Sequence, residues 1–145
     1  ETGLPPAALE LEVTEQVLMR DTVRINLALT EMKKLGVRLA VKGFGTGFSS
    51  AAFLSRFKID CLKVARVFIS SAPDDEESAG VVRAIVALGR SLQIQVLADG
   101  VETMDQLRSA RKAGCQLAQG YLFGRPMANW SLPPTWEPQH HDPCA

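Results

Sequence analysis

Between residues 9 and 123 the hydrophobic pattern changes period repeatedly, from two to about 3.6 and back, and such a chain is committed to alternating strands and helices. Apolar residues from Leu9 alternate with Glu10 and Glu12 through Val13, the pattern of a strand with one polar face. Ile25, Leu29, Met32 and Leu35 then fall at helical spacing, with Asp21 as a candidate N-cap and Gly36 as the stop. The unit repeats. A strand over 37–41 leads into a tight loop over 43–47 and a short helix, capped by Ser49 or Ser50, that ends at Phe57. A third strand is expected over 61–65, followed by a helix over about 75–92 whose buried face carries Val82, Ile85, Val86 and Leu88. Asp74, Asp75, Glu76 and Glu77 stand where the helix dipole favours negative charge, which reads as a solvated helix start and not as a metal site.

A fourth strand is expected over 94–98. Thr103-Met104-Asp105-Gln106 has the form of a capping box for the next helix, with Gly114 as its stop. A fifth strand is expected over 117–123. Five strands alternating with four helices require crossovers between parallel neighbours, which makes the class a parallel α/β sheet. A complete eight-fold barrel takes about 250 residues, so 145 residues hold only part of one, and an open doubly wound sheet is the alternative. Pro133, Pro134, Pro138 and Pro143 mark the end as a tail without regular structure. The expected organisation is one domain over 1–130 and a Pro-rich tail over 131–145.

Composition narrows the partners. Sixteen basic residues balance sixteen acidic ones, so no global field draws the chain to nucleic acid or to an anionic surface. No apolar run reaches the about 18 residues of a membrane span. Cys61, Cys115 and Cys144 form neither an even framework nor a C-x-x-C pair, which fits a reducing, cytoplasmic setting. The chain begins with Glu1 instead of Met, suggesting a piece of something longer. On paper, His140, His141, Asp142 and Cys144 have the chemistry of metal ligands, but a Pro-rich terminus gives them no scaffold.

Parallel α/β folds gather chemistry at the carboxyl ends of their strands. The polar residues fall there: Glu12 and Glu15 on the first strand, Lys42 on the second, Lys63 in the third, Asp99 on the fourth and Gln119 on the fifth. Each alone reads more readily as a cap or a solvated loop residue; their agreement across five strands argues for a site. Gly43-Phe44-Gly45-Thr46-Gly47 lacks both the Walker spacing and the dinucleotide fingerprint, so a tight turn competes with a phosphate cradle.

Five segments in order resemble successive motifs of the EAL family: Leu11-Glu12-Val13-Thr14-Glu15, Gly43 through Ser50, Leu62-Lys63-Val64, Ala98-Asp99-Gly100-Val101-Glu102 and Gln119 through Pro126. The resemblance runs from about Leu4 to Trp130 and implies the C-terminal part of a modified TIM barrel, a partial (β/α) barrel. It also implies metal-dependent hydrolysis of cyclic-di-GMP to linear pGpG as the family activity, with Mg²⁺ or Mn²⁺ as cofactor. By the resemblance Glu12 matches a metal ligand, Glu15 the glutamate that steadies the loop after the second strand, and Lys63 the lysine near the attacking water. Glu102 matches the second acid of Glu-Gly-Val-Glu, and Gln119 the glutamine of the closing strand. Gly45, Thr46, Gly47, Arg125 and Pro126 are candidate ligand contacts.

The departures shape the functional expectation. Lys42-Gly43 stands where the family has an Asp-Asp pair, Asp99 replaces a glutamate that serves as general base, and Ala65 replaces an aspartate. The Glu-Ala-Leu strand and an Asn ligand would lie before Glu1. The expectation is therefore a catalytically inactive EAL-like module that is not itself an enzyme, holds no metal cofactor, and acts through a protein partner or self-association. The alternatives are a fragment of a cyclic-di-GMP phosphodiesterase and a receptor that binds without hydrolysis, the latter ranked third because the main ligand contacts would come from the missing strands. Without metal, Lys42 either pairs with Glu12 or reaches into solvent. Leu97, Phe44 and Tyr121 are candidates for the inner face of the partial barrel.

Overall fold

The computed structural model describes residues 3–20, 23–47 and 51–126. Asp21, Ser49, Ser50 and the tail, with His140, His141, Asp142 and Cys144, lie outside the described residues. After a short 3₁₀ turn, Pro6–Ala8, the chain forms β1 (Glu10–Thr14), α1 (Glu15–Met19), α2 (Val23–Lys34), β2 (Arg38–Phe44), α3 (Ala51–Arg56) and β3 (Cys61–Val64). Then follow α4 (Arg66–Ser71), α5 (Glu76–Leu92), β4 (Gln95–Asp99), α6 (Met104–Ala113) and β5 (Leu117–Gln119).

All neighbouring strands pair parallel, in the order β1-β2-β3-β4-β5. The order never reverses, whereas a doubly wound sheet needs a reversal. The helices also share one face. Leu29, Leu54, Ile69, Val82, Ile85, Val86, Leu107 and Ala110 join Leu39, Val41, Leu62, Val64, Val96 and Ala98 in one core cluster, while the opposite face holds the small buried apolar cluster Ala40, Cys61 and Leu97. Sequential parallel strands with helices on one side are an arc of a barrel, which removes the open doubly wound alternative.

Helix ends follow their local chemistry. The Asp75 side chain accepts from Ser78 N at 2.9 Å and starts α5. The Thr103 and Gln106 capping box is complete at α6, and Gly114 closes that helix at φ 98°.

Several expectations are corrected. The described residues contain six α-helices, not four, because α1 and α4 are each about one and a half turns long and too short to show a period. The fifth strand ends at Gln119, since residues 121–123 turn away. Leu35 is 66 % exposed, outside the core that its spacing suggested, because α2 ends at Lys34. Strand β2 runs on through Gly43 to Phe44.

That extension carries a bulge. Val41 pairs with Leu62 and Phe44 with Val64, so three steps on β2 match two on β3. Gly43, at φ 69°, absorbs the extra residue. Strict alternation would place Phe44 on the inner face with Ala40 and Lys42; the bulge turns it into the helix-side core. Tyr121 is also not an inner-face residue: it lies in the turn beyond the end of β5, with Arg125 5.1 Å over its ring. Of the three candidates only Leu97 belongs to the inner cluster.

Candidate functional site

Alternation assigns the inner face. With Leu11, Val13, Leu39 and Val41 turned to the helices, Glu10 and Glu12 of β1 and Arg38, Ala40 and Lys42 of β2 point the other way. Glu10 pairs in register with Arg38, Glu12 with Ala40 and Thr14 with Lys42. Lys63 of β3 joins them, facing Leu97 of β4.

These side chains form a charge ladder. Lys63 Nζ donates to Glu12 Oε1 at 2.6 Å and lies 3.2 Å from Glu10 Oε1. Lys42 Nζ lies 3.5 Å from Glu12 Oε2. Lower in the sheet, Arg38 Nε lies 3.5 Å from Glu10 Oε2, and Arg38 also donates to Gln95 Oε1 at 2.8 Å. Lys63 is buried, at 6 % exposure, and a buried ammonium needs such partners to remain charged.

The electrostatics follow from the contacts. The Lys63 hydrogen bond holds the Glu12 carboxyl below its ordinary range, overcoming partial burial, with Lys42 adding to it. Burial alone would lower the Lys63 ammonium, but its hydrogen bonds to Glu12 and Glu10 outweigh that and raise it. Burial, with the nearby Glu10 charge, pushes the Cys61 thiol up to about 11, which makes it a packing group instead of a nucleophile.

The glycine loop is tied to the first strand by Glu15. This glutamate opens α1, is 4 % exposed, and accepts from Gly47 N at 3.0 Å. A Cβ on Gly47 would stand 2.8 Å from the Glu15 Cδ, so only glycine leaves the carboxyl its place. Gly45 is half-buried, with Phe68 and Ile85 beside it, and the exposed Thr46 hydroxyl donates to Gly43 O at 3.0 Å.

The remaining candidates are spread along the same rim. Asp99 ends β4, half-buried and opposite Gln119 of β5. Glu102 turns outward and accepts from Arg66 at 2.7 Å. Arg125 and Pro126 are exposed beyond β5. The structure therefore brings Glu12, Lys42 and Lys63 into contact, and separately Glu15 with Gly47. Sequence reasoning missed Glu10 and Arg66. Glu10 had a signal, since it sits two residues before Glu12 in a strand and so shares its face. Arg66 had none, because only the fold brings it to Glu102.

Comparison with known proteins places these features. The cyclic di-GMP phosphodiesterase NbdA of Pseudomonas aeruginosa is 43 % identical over 127 residues, covering 88 % of this chain and 16 % of that protein. The solved complex of the PaMucR phosphodiesterase with c-di-GMP matches with a TM-score of 0.80 and 43 % identity, over 86 % of this chain and 50 % of that one. The EAL enzyme Bd1971, with cAMP and cyclic-di-GMP bound, matches with a TM-score of 0.79 and 32 % identity, over 86 % of this chain and 33 % of that one. The chain thus spans half or less of each of these three proteins.

These likenesses overturn the expectation that the chain is not an enzyme. NbdA and PaMucR are themselves named phosphodiesterases, and the chain spans only part of each, so its substitutions concern one part of such a site. Both of these solved neighbours hold cyclic-di-GMP. No described helix is long and apolar enough to cross a membrane. The family model for the EAL domain matches residues 1–126, and with the parallel sheet and motif order in agreement the chain belongs to the EAL domain family, as a C-terminal part of that domain.

Proposed function

We propose that this chain supplies the C-terminal half of the cyclic-di-GMP site in an EAL domain of the phosphodiesterase class, within a signalling protein. The observation that carries this reading is the inner-face contact of Lys63, Glu12 and Lys42 across three adjacent strands. A nearly solvent-free ammonium fixed on a carboxylate is costly unless it serves a ligand or the barrel interior, and two lysines at a strand-end rim suit a phosphodiester. The rim also carries Asp99 and Gln119 on β4 and β5.

The sheet order supports completion by further strands. Both β1 and β5 are edges, and the inner face beside them carries polar and charged groups suited to an enclosed site, not to bulk solvent. Strands of the same polypeptide or of a second copy would satisfy those edges.

The test is titration of the full-length protein with fluorescently labelled cyclic-di-GMP, with parallel assay of linear pGpG. Saturable binding displaced by unlabelled nucleotide is expected. Failure to bind in every divalent-ion condition would overturn the reading, and detection of pGpG would place the protein among the working phosphodiesterases.

A further inference from the structure

The divalent cation that the family implies does not fit the donor set of this chain. Each Glu12 oxygen already faces an ammonium, Lys63 on one side and Lys42 on the other. Gly43 offers no side chain, and among the described residues no group of three or more His, Cys, Asp or Glu stands together as metal ligands. Mg²⁺ asks for several oxygens in near-octahedral array.

We propose that the Lys42 ammonium takes the place of a divalent cation, so that the phosphodiester of the nucleotide is met by Lys42 while Lys63 holds the Glu12 carboxylate, and binding does not draw on Mg²⁺ or Mn²⁺. The inference rests on the proposed cyclic-di-GMP site. Charge decides between the two kinds of ligand. The ladder of Glu10, Glu12, Arg38, Lys42 and Lys63 has two negative charges against three positive, leaving one positive. Adding Asp99 of the same rim brings the face to neutral. Neither sum attracts a doubly charged cation, whereas a site with cations at its open end attracts an anion.

The two lysines divide the work. Lys63 is buried and fixed at 2.6 Å from Glu12, whereas the Lys42 side chain is 56 % exposed and only 3.5 Å from the same carboxylate. An exposed pair of that length is weak, so Lys42 can turn from Glu12 to a phosphate oxygen at little cost. The left-handed Gly43 that follows leaves open space where a Cβ would stand, room for the ligand to approach the strand end.

The experiment is titration of the full-length protein with labelled cyclic-di-GMP in chelator and in millimolar Mn²⁺, repeated for Lys42→Gln and Lys42→Arg. Equal Kd in the two buffers is expected, with Lys42→Gln weakening binding about tenfold or more, the loss of one charged contact, and Lys42→Arg restoring most of it. Lys42 is exposed, so circular dichroism of both variants should match the parent. Binding that appears only with Mn²⁺, or that Lys42→Gln leaves unchanged, overturns the lysine's role while leaving the nucleotide site intact. Absence of binding in both buffers overturns the site itself.

Discussion

Glu15 Oε2 accepts the Gly47 N–H at 3.0 Å, and the same carboxyl fills the space that any side chain on Gly47 would need. The contact spans from the end of β1 to the loop after β2. The first turn of α1 thereby sets the position of the loop after β2.

Gly47→Ala is therefore expected to cost about 1–3 kcal/mol, the penalty of displacing a buried hydrogen-bonded group. Gly47 is not in the left-handed region, so the cost is steric and not conformational. Chemical denaturation measures it. Shortening the partner makes room, so Glu15→Asp combined with Gly47→Ala should lose less than the sum of the single variants, a non-additivity that a double-mutant cycle reads directly.

The periodic elements were legible in the sequence because their signals are local. Asp75, Thr103, Gln106 and Gly114 declare the ends of α5 and α6 through caps that need no tertiary partner. Period two put Glu10 and Glu12 on one polar face of the first strand, whereas the strand-end position expected of Glu12 is not found: it is the middle residue of β1. What stayed hidden was set by geometry across strands. The bulge at Gly43 moves Phe44 to the opposite face, and a one-residue slip of that kind leaves no trace in composition. Arg66 and Glu102 meet only because α4 folds back beside the loop after β4.

The α6 capping box gives a prediction with a local mechanism. Thr103 Oγ1 accepts from Gln106 N at 3.2 Å, while Gln106 Oε1 accepts from Thr103 N at 3.2 Å and from Glu102 N at 2.7 Å. Thr103→Ala should cost about 1 kcal/mol, seen as a lower Tm. Thr103→Ser should retain most of that stability, because the acceptor oxygen is kept.

Helix α5 packs on β4 through Gly89, and there two magnitudes oppose each other. Alanine is favoured over glycine inside a helix by about 1 kcal/mol. A Cβ at Gly89 would, however, overlap the Val96 side chain and stand 2.9 Å from the Ile94 carbonyl oxygen. Overpacking of this kind costs about 1–3 kcal/mol, and a backbone carbonyl cannot step aside as a side-chain tip does. Gly89→Ala should therefore destabilise, in contrast to the usual effect of that substitution in an exposed helix. Urea unfolding decides the sign.

The Glu12–Lys63 pair sets a pH window for stability. Glu12 is held below its ordinary value of 4.5 by the Lys63 hydrogen bond, so its contribution is present above that value and is lost as pH falls through the lowered one. Lys63 is raised above its ordinary 10.5: burial opposes the shift, and the hydrogen bonds to Glu12 and Glu10 produce it. Its contribution is complete below 10.5 and is lost as pH rises through the raised value. Between the two limits the pair should add a constant amount. Lys63→Met leaves Glu12 and Glu10 without their shared cation and should cost about 2–3 kcal/mol, less than the 3–5 of a fully buried pair because the Glu12 side chain is 37 % exposed. Glu12→Gln keeps an acceptor for Lys63 and should cost nearer 1 kcal/mol, while removing this pair's share of the acid-side loss. Denaturation midpoints of parent and variants across the acid range provide the check. A Glu12→Gln profile parallel to the parent down to the lowest pH would show that the pair contributes no pH-dependent stability.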